Sequence, residues 1–132
     1  MKALITGASG FIGSHLTKRL LADGHDVAIL TRYGNVVKCE RLRDVWDRLT
    51  IIEADLRNRA ALEAVAEWAP EKVYHLAAWN HVGSSFHQYE ECFDVNAKGT
   101  ANLLDVLSTW RHTVRIVYIS SSEVYGHQNE IP

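Results

Sequence analysis

The sequence predicts a doubly wound α/β domain on one parallel sheet, and three observations carry that prediction. Short apolar runs alternate with stretches of helical periodicity along the whole chain. Those runs are apolar nearly throughout instead of alternating, which marks a sheet covered on both faces. A glycine-rich turn joins the first run to the first helix. Right-handed crossovers then give about five strands in the order 3-2-1-4-5.

The elements follow in order. "KALIT" (2–6) is the first strand. In "FIGSHLTKRLLADG" (11–24), Ile12, Leu16 and Leu20 recur at intervals of four, and Gly24 is a stop signal. "DVAILT" (26–31) is the second strand, and "RYGNVVK" (32–38) is a loop at the sheet's C-terminal edge. "CERLRDVWDRL" (39–49) carries Leu42, Val45, Trp46 and Leu49 at helical spacing, and "TIIEAD" (50–55) is the third strand. "RAALEAVAEWAP" (59–70) reads as a helix stopped by Pro70, and "KVYHLAA" (72–78) as the fourth strand. "VRIVYIS" (114–120) is the fifth.

Between the last two lies a long helix, about 88–110, with two apolar stripes. One holds Phe93, Ala97, Ala101, Leu104 and Leu107, the other Val95, Gly99, Leu103, Val106 and Trp110. A surface helix shows one stripe, so this helix is expected to be covered on two sides.

"ITGASGFIGSHL" spaces Gly7, Gly10 and Gly13 as GxxGxxG between strand and helix. Glycines there turn the chain sharply and let a diphosphate approach backbone N–H groups, while the helix N-terminus adds partial positive charge. Ser9 offers a hydroxyl donor. The segment Gly7, Ser9, Gly10, Phe11, Ile12 and Gly13 is therefore assigned to a dinucleotide, the arrangement of a Rossmann fold; a tight turn without ligand is the alternative. At the end of the second strand, where NAD sites place an acidic residue, stands Thr31, followed by Arg32. That favours NADP over NAD. By analogy with the fold, Asp55 and Leu56 border the adenine. The end of the fourth strand, Leu76, Ala77 and Ala78, completes the cofactor cleft.

Bulk properties narrow the classes. The 132 residues make one domain, and 47% hydrophobic content supports a core. A net charge of −2 argues against a nucleic-acid partner. No apolar run reaches the roughly 20 residues of a membrane span, and the N-terminus is not a signal peptide. A cytoplasmic protein with Cys39 and Cys92 reduced is expected. His75, His81 and His87, spaced by six, suit no compact metal motif, and none is assigned. His81, just past the fourth strand, and Trp79 are placed toward a substrate cleft.

Five stretches, "TGASGFIGSHL", "ADLRN", "HLAAWNHVGSSF", "DVNAKGTANLLDV" and "ISSSEVYG", together resemble the extended short-chain dehydrogenase/reductases, specifically the nucleotide-sugar epimerases and dehydratases. Within that group "HVGSSF" with Arg32 is most similar to the GDP-mannose 4,6-dehydratases. The resemblance implies transient oxidation at sugar C4 with NADP or NAD, on a nucleotide-diphosphate sugar. It implies that Ser121 hydrogen-bonds the C4 oxygen, that Glu123 takes the C5 proton, and that Ser122 assists departure of the C6 hydroxyl. Simple epimerases of the group generally lack that Glu, and some have a Lys where Asn80 stands, so dehydratase chemistry, or that of the related decarboxylases, is favoured. Asn96 would tie the long helix to the strand ends near the cofactor and count among the cofactor-binding residues, and Ser84 and Ser85 would run beside the pyrophosphate and sugar.

The resemblance also implies a Tyr with a Lys four residues later. Here the residues four after Tyr33, Tyr74, Tyr89, Tyr118 and Tyr125 are Val37, Ala78, Phe93, Ser122 and Asn129. The expectation is therefore an incomplete cofactor domain over 1–132, ending before the Tyr–Lys helix and the substrate region, and inactive alone. The rival reading is a non-catalytic dinucleotide sensor or interaction module. A homodimer through the 88–110 helix is a further expectation.

Overall fold

The computed structural model describes residues 1–32, 39–109 and 113–126. Five parallel strands lie in the order β3-β2-β1-β4-β5, as the sequence predicts. They are β1 (Lys2–Thr6), β2 (Asp26–Thr31), β3 (Thr50–Glu53), β4 (Lys72–His75) and β5 (Arg115–Tyr118). The central strand β1 pairs with β2 on one side and β4 on the other, and Ala3 to Thr6 are wholly inaccessible to solvent.

Each strand sends alternate side chains to two covered faces. On one face Leu4, Ala28, Leu30 and Val73 pack against Leu62, Val65, Leu103 and Val106. On the other Ala3, Ile5, Val27 and Ile29 pack against Leu20, Leu21, Cys39 and Leu42. Burial on both sides explains why the strands read as unbroken apolar runs.

The helix α1 spans Phe11–Ala22, and Gly24 closes it at φ +78°, with the Gly24 N–H donating to the Leu21 carbonyl. Glu40–Arg48 forms 3₁₀ turns instead of the expected α-helix; Leu42 is buried and Val45, Trp46 and Leu49 are partly buried against the same cluster. A 3₁₀ turn at Ala60–Leu62 runs into α2 (Glu63–Trp68). That helix ends two residues before Pro70, because the residue preceding proline is excluded from the right-handed helical region. Ala69 takes left-handed φ 58° instead.

The predicted strands 50–55, 72–78 and 114–120 are shorter in the structure, yet their extensions stay tied to the sheet. The Ala54 N–H donates to the Thr31 carbonyl, the Leu76 N–H to Thr6, and the Ile119 N–H to His75.

The long helix is continuous but not uniform. α3 (Val82–Ser85) precedes it; then α4 (Tyr89–Phe93), a π-helical segment Asp94–Lys98 and α5 (Gly99–Ser108) follow without a break. Gly99, Leu103, Val106 and Leu107 are buried against the sheet. Phe93 and Leu104, at 66% and 44% exposed, and the exposed Ala97 and Ala101 form the other stripe. Leu107 was expected with this outer stripe and instead joins the core. Trp110, the loop 33–38 and the tail from His127 onward lie outside the described residues. Among the described residues no helix is long and apolar enough to cross a membrane.

Candidate functional site

A cleft of about 370 Å³ opens at the C-terminal ends of β1, β2 and β4. It lies at the point where the strand order reverses, between β1 and β4, where crossovers leave opposite faces of the sheet. Its lining brings together Gly7, Ser9, Gly10, Thr31, Arg32, Asp55, Leu56, Leu76, Ala77 and Ala78, all predicted for the cofactor. The sequence did not single out Thr6, Leu30, Ala54 or Val95, which share the lining with Trp79 and Asn80.

The glycines have separate reasons. Gly7 sits at φ +72°, and a Cβ there would lie 2.7 Å from the Ala77 nitrogen. A Cβ on Gly13 would press on the Gly7 carbonyl and stand 2.8 Å from the Ala8 Cα, so Gly13 lets α1 seat closely on the loop. Gly10 is the N-cap of α1 and contributes no side chain to it, and no acidic residue stands in the first turn. The partial positive charge of that helix end is therefore left for a ligand at the loop. Phe11 and Ile12 point their side chains outward, at 71% and 64% exposed, and neither lines the cleft. The bare backbone cradle fits a dinucleotide's diphosphate.

Charge at the cleft's outer end comes from Arg32 and Asp55. The Arg57 guanidinium holds Asp55 in a fork, Nε to Oδ1 at 2.9 Å and one terminal nitrogen to Oδ2 at 2.7 Å, and the Arg57 backbone N–H also donates to Oδ1. The paired Arg57, and more weakly Arg32, hold the Asp55 carboxyl below the usual carboxylate range. Thr31 is buried, and its side chain bonds to the Cys39 thiol, whose pKa burial pushes up.

Beneath the floor runs a closed polar chain. Thr100 Oγ1 donates to the Asn96 carbonyl at 2.6 Å, so it accepts from His75 Nε2–H at 2.9 Å. His75 Nδ1 is then the acceptor for Thr6 Oγ1 at 2.6 Å, and Thr6 Oγ1 accepts from the Ala77 N–H at 3.0 Å. His75 is thus neutral with its proton on Nε2, and both ring nitrogens are engaged. Burial pushes its pKa down, in agreement. Asn96 lies one layer behind the cleft. Its side chain accepts from the Trp79 N–H at 2.7 Å and donates to the Trp79 carbonyl at 2.9 Å. It ties the long helix to the segment after the fourth strand, and Asn96 is not among the residues that line the cleft.

The predicted chemical residues stand outside this lining. Ser121 is exposed and caps the 3₁₀ turn Ser122–Tyr125, its Oγ accepting from the Glu123 N–H at 3.2 Å. The hydroxyl proton remains to donate. Glu123 is exposed in that turn. Both emerge from β5 beside β4, at the same sheet edge as the cleft. His81 and Ser84 bond to each other at 2.9 Å across the start of α3, and Ser85 follows at its end, beyond Trp79 and Asn80.

The comparisons with known proteins agree with this geometry. A sequence model of the GDP-mannose 4,6 dehydratase family matches residues 4–132. The chain belongs to the nucleotide-sugar epimerase and dehydratase group of extended short-chain dehydrogenase/reductases. A UDP-glucose 4-epimerase of Klebsiella pneumoniae is 38% identical over 138 residues, covering 100% of this chain and 97% of that protein. A UDP-glucose 4-epimerase of Pisum sativum is 35% identical over 99% of this chain, but only 39% of the relative is covered. The crystal structure of UDP-glucose-4-epimerase from Stenotrophomonas maltophila, with bound NAD and formylated UDP-arabinopyranose, superposes with a TM-score of 0.82 at 33% identity. It is matched over 100% of this chain and 40% of its own.

Proposed function

We propose that these residues form the cofactor-binding part of an NAD(P)-dependent enzyme that oxidises a nucleotide-diphosphate sugar transiently at C4, with NADP preferred. The observation that carries the reading is the bare cradle of Gly7, Gly10 and Gly13 at the mouth of a cleft lined by Arg32 and Asp55. Gly7, Ser9, Gly10 and Gly13 would seat the diphosphate, with the Phe11 and Ile12 amides at the helix end. Leu56 and Asp55 would flank the adenine, Thr31 and Arg32 the ribose, and Leu76, Ala77 and Ala78 the inner half. A bound nicotinamide supplies a hydride acceptor.

The remaining steps belong to side chains at the sheet edge. Ser121 would donate its free proton to the C4 oxygen and orient the sugar. Glu123 would accept the C5 proton once the neighbouring carbonyl has acidified it, with Ser122 beside the leaving hydroxyl. His81, Ser84 and Ser85 would border the sugar and its diphosphate. Glu123 favours the dehydratase outcome over epimerisation. Two cysteines outside any disulfide suit a cytoplasmic setting, and the exposed stripe Phe93, Ala97, Ala101 and Leu104 suits pairing of two copies. A second reading, a dinucleotide-binding module without catalysis, is favoured by one fact: no tyrosine here has a lysine four residues later. On either reading the 132-residue chain binds dinucleotide and turns over no sugar alone.

Calorimetric titration tests the cofactor assignment. The chain is expected to bind NADP⁺ more tightly than NAD⁺, and Arg32→Ala to lose about 1–3 kcal/mol of NADP⁺ binding, with less effect on NAD⁺. Equal affinities in the wild type, or equal losses in the variant, would contradict the role given to Arg32.

A further inference from the structure

The Asp55–Arg57 pair has a feature that cofactor contact alone does not require. Asp55 lines the cleft, and Arg57 is the source of its clamp. Three N–H donors of one residue converge on one carboxylate, at 2.9, 2.9 and 2.7 Å. Arg57 is itself anchored on its far side by Glu91 of α4 at 3.5 Å. The guanidinium thus bridges the turn after β3 to the helix that follows the cleft wall.

Arg32 and Asp55 line the same end of the cleft. An unclamped Asp55 would attract the Arg32 guanidinium and would repel a phosphate placed beside it. Bidentate pairing with Arg57 satisfies the carboxylate locally and cancels its charge at short range. We propose that Arg57 is a specificity-determining positioning residue: by occupying Asp55 it leaves Arg32 to receive the 2′-phosphate of NADP. This rests on the reading that the cleft takes a dinucleotide with its adenosine ribose toward Arg32. The Arg32 charge already acts on the Asp55 carboxyl, in keeping with that proximity.

The test is the ratio of NADP⁺ to NAD⁺ affinity, measured on the 132-residue chain for wild type, Arg57→Gln, Arg57→Lys, Asp55→Asn and the double variant Asp55→Asn/Arg57→Gln. Losing the guanidinium is expected to lower the ratio about fivefold, the size of one added like charge at the cleft's outer end. Asp55→Asn is expected to raise it, and the double variant to return it to within about twofold of wild type, since the charge that Arg57 neutralises is then gone. Arg57→Lys, which keeps the charge without the fork, should fall between wild type and Arg57→Gln. Raising salt from about 0.05 M to about 0.5 M should shrink these differences. Should Arg57→Gln fail to fold, Asp55→Asn reads the same electrostatics from the other direction. A ratio within about twofold of wild type in Arg57→Gln, or an unchanged or lowered one in Asp55→Asn, overturns the inference while leaving dinucleotide binding intact. Absence of binding of either dinucleotide to the wild type overturns the dinucleotide reading, and this inference with it.

Discussion

Gly7→Ala should cost about 3 kcal/mol or more of stability and weaken dinucleotide binding by at least about tenfold. A non-glycine residue in the left-handed region carries roughly 1–2 kcal/mol of strain. The larger part comes from contact. The added methyl would lie 2.7 Å from the Ala77 nitrogen and 2.8 Å from the Leu76 carbonyl carbon, both backbone atoms that cannot rotate away. Relief requires the loop and the end of the fourth strand to part, and those two adjoining segments both line the cleft. Gly24→Ala is the matched control: it has φ +78° with nothing within 4 Å of the new methyl. It should carry only the backbone strain and leave binding unaltered. Denaturant melts and dinucleotide titrations of the two variants separate strain from the cradle; similar behaviour would show that Gly7 has no special approach to protect.

Acid should destabilise the fold well above the carboxylate range, through His75. An unfolded histidine titrates near about pH 6.5, whereas burial pushes the folded-state pKa of His75 down. Unfolding therefore takes up a proton between those two values, and stability falls as pH drops below about 6.5. Above that pH the contribution is complete. The cause is burial of the ring; a protonated ring would also lose the acceptor role of Nδ1 toward the Thr6 hydroxyl. Asp44 and Asp55, whose pKa values are lowered chiefly by Lys18 and Arg57, add their own acid sensitivity only below about pH 3.9, so the loss through His75 begins first as pH falls. His75→Gln should flatten the upper window in melts at about pH 7.5 and about pH 5.5. Thr6→Val, which strips the Ala77 N–H and the ring of their shared partner, should cost about 1–3 kcal/mol at neutral pH. An undiminished slope in His75→Gln would assign the effect to other groups.

What could be seen in the chain beforehand was local. Strands buried on two faces announce themselves as apolar runs, and a glycine triplet between strand and helix needs no tertiary knowledge. Features set by distant partners could not be seen. Leu107 stands three residues after Leu104 and four after Leu103, on the border of the two stripes of α5, and packing against the sheet decides that it joins the buried one. Phe11 and Ile12 follow the loop in sequence, yet the first helical turn aims their side chains at solvent. Thr6, His75 and Thr100 are brought together by strand pairing and helix packing from positions up to 94 apart in the chain, in no recognisable pattern. The Asp55–Arg57 clamp was the one missed feature with a local signal, an acidic and a basic residue two apart directly after a strand.

The central claim is that the crossover from β1 to α1 holds a dinucleotide's diphosphate. Amide NMR of the isotope-labelled 132-residue chain, titrated with NADP⁺ and NAD⁺, examines it residue by residue. Saturable shifts confined to Gly7, Ser9 and Gly10, the α1 start, Arg32, Asp55 and Leu76–Ala78 are expected. Spectra unmoved by either dinucleotide, or saturable shifts gathered around His87–Glu91 instead, would contradict it.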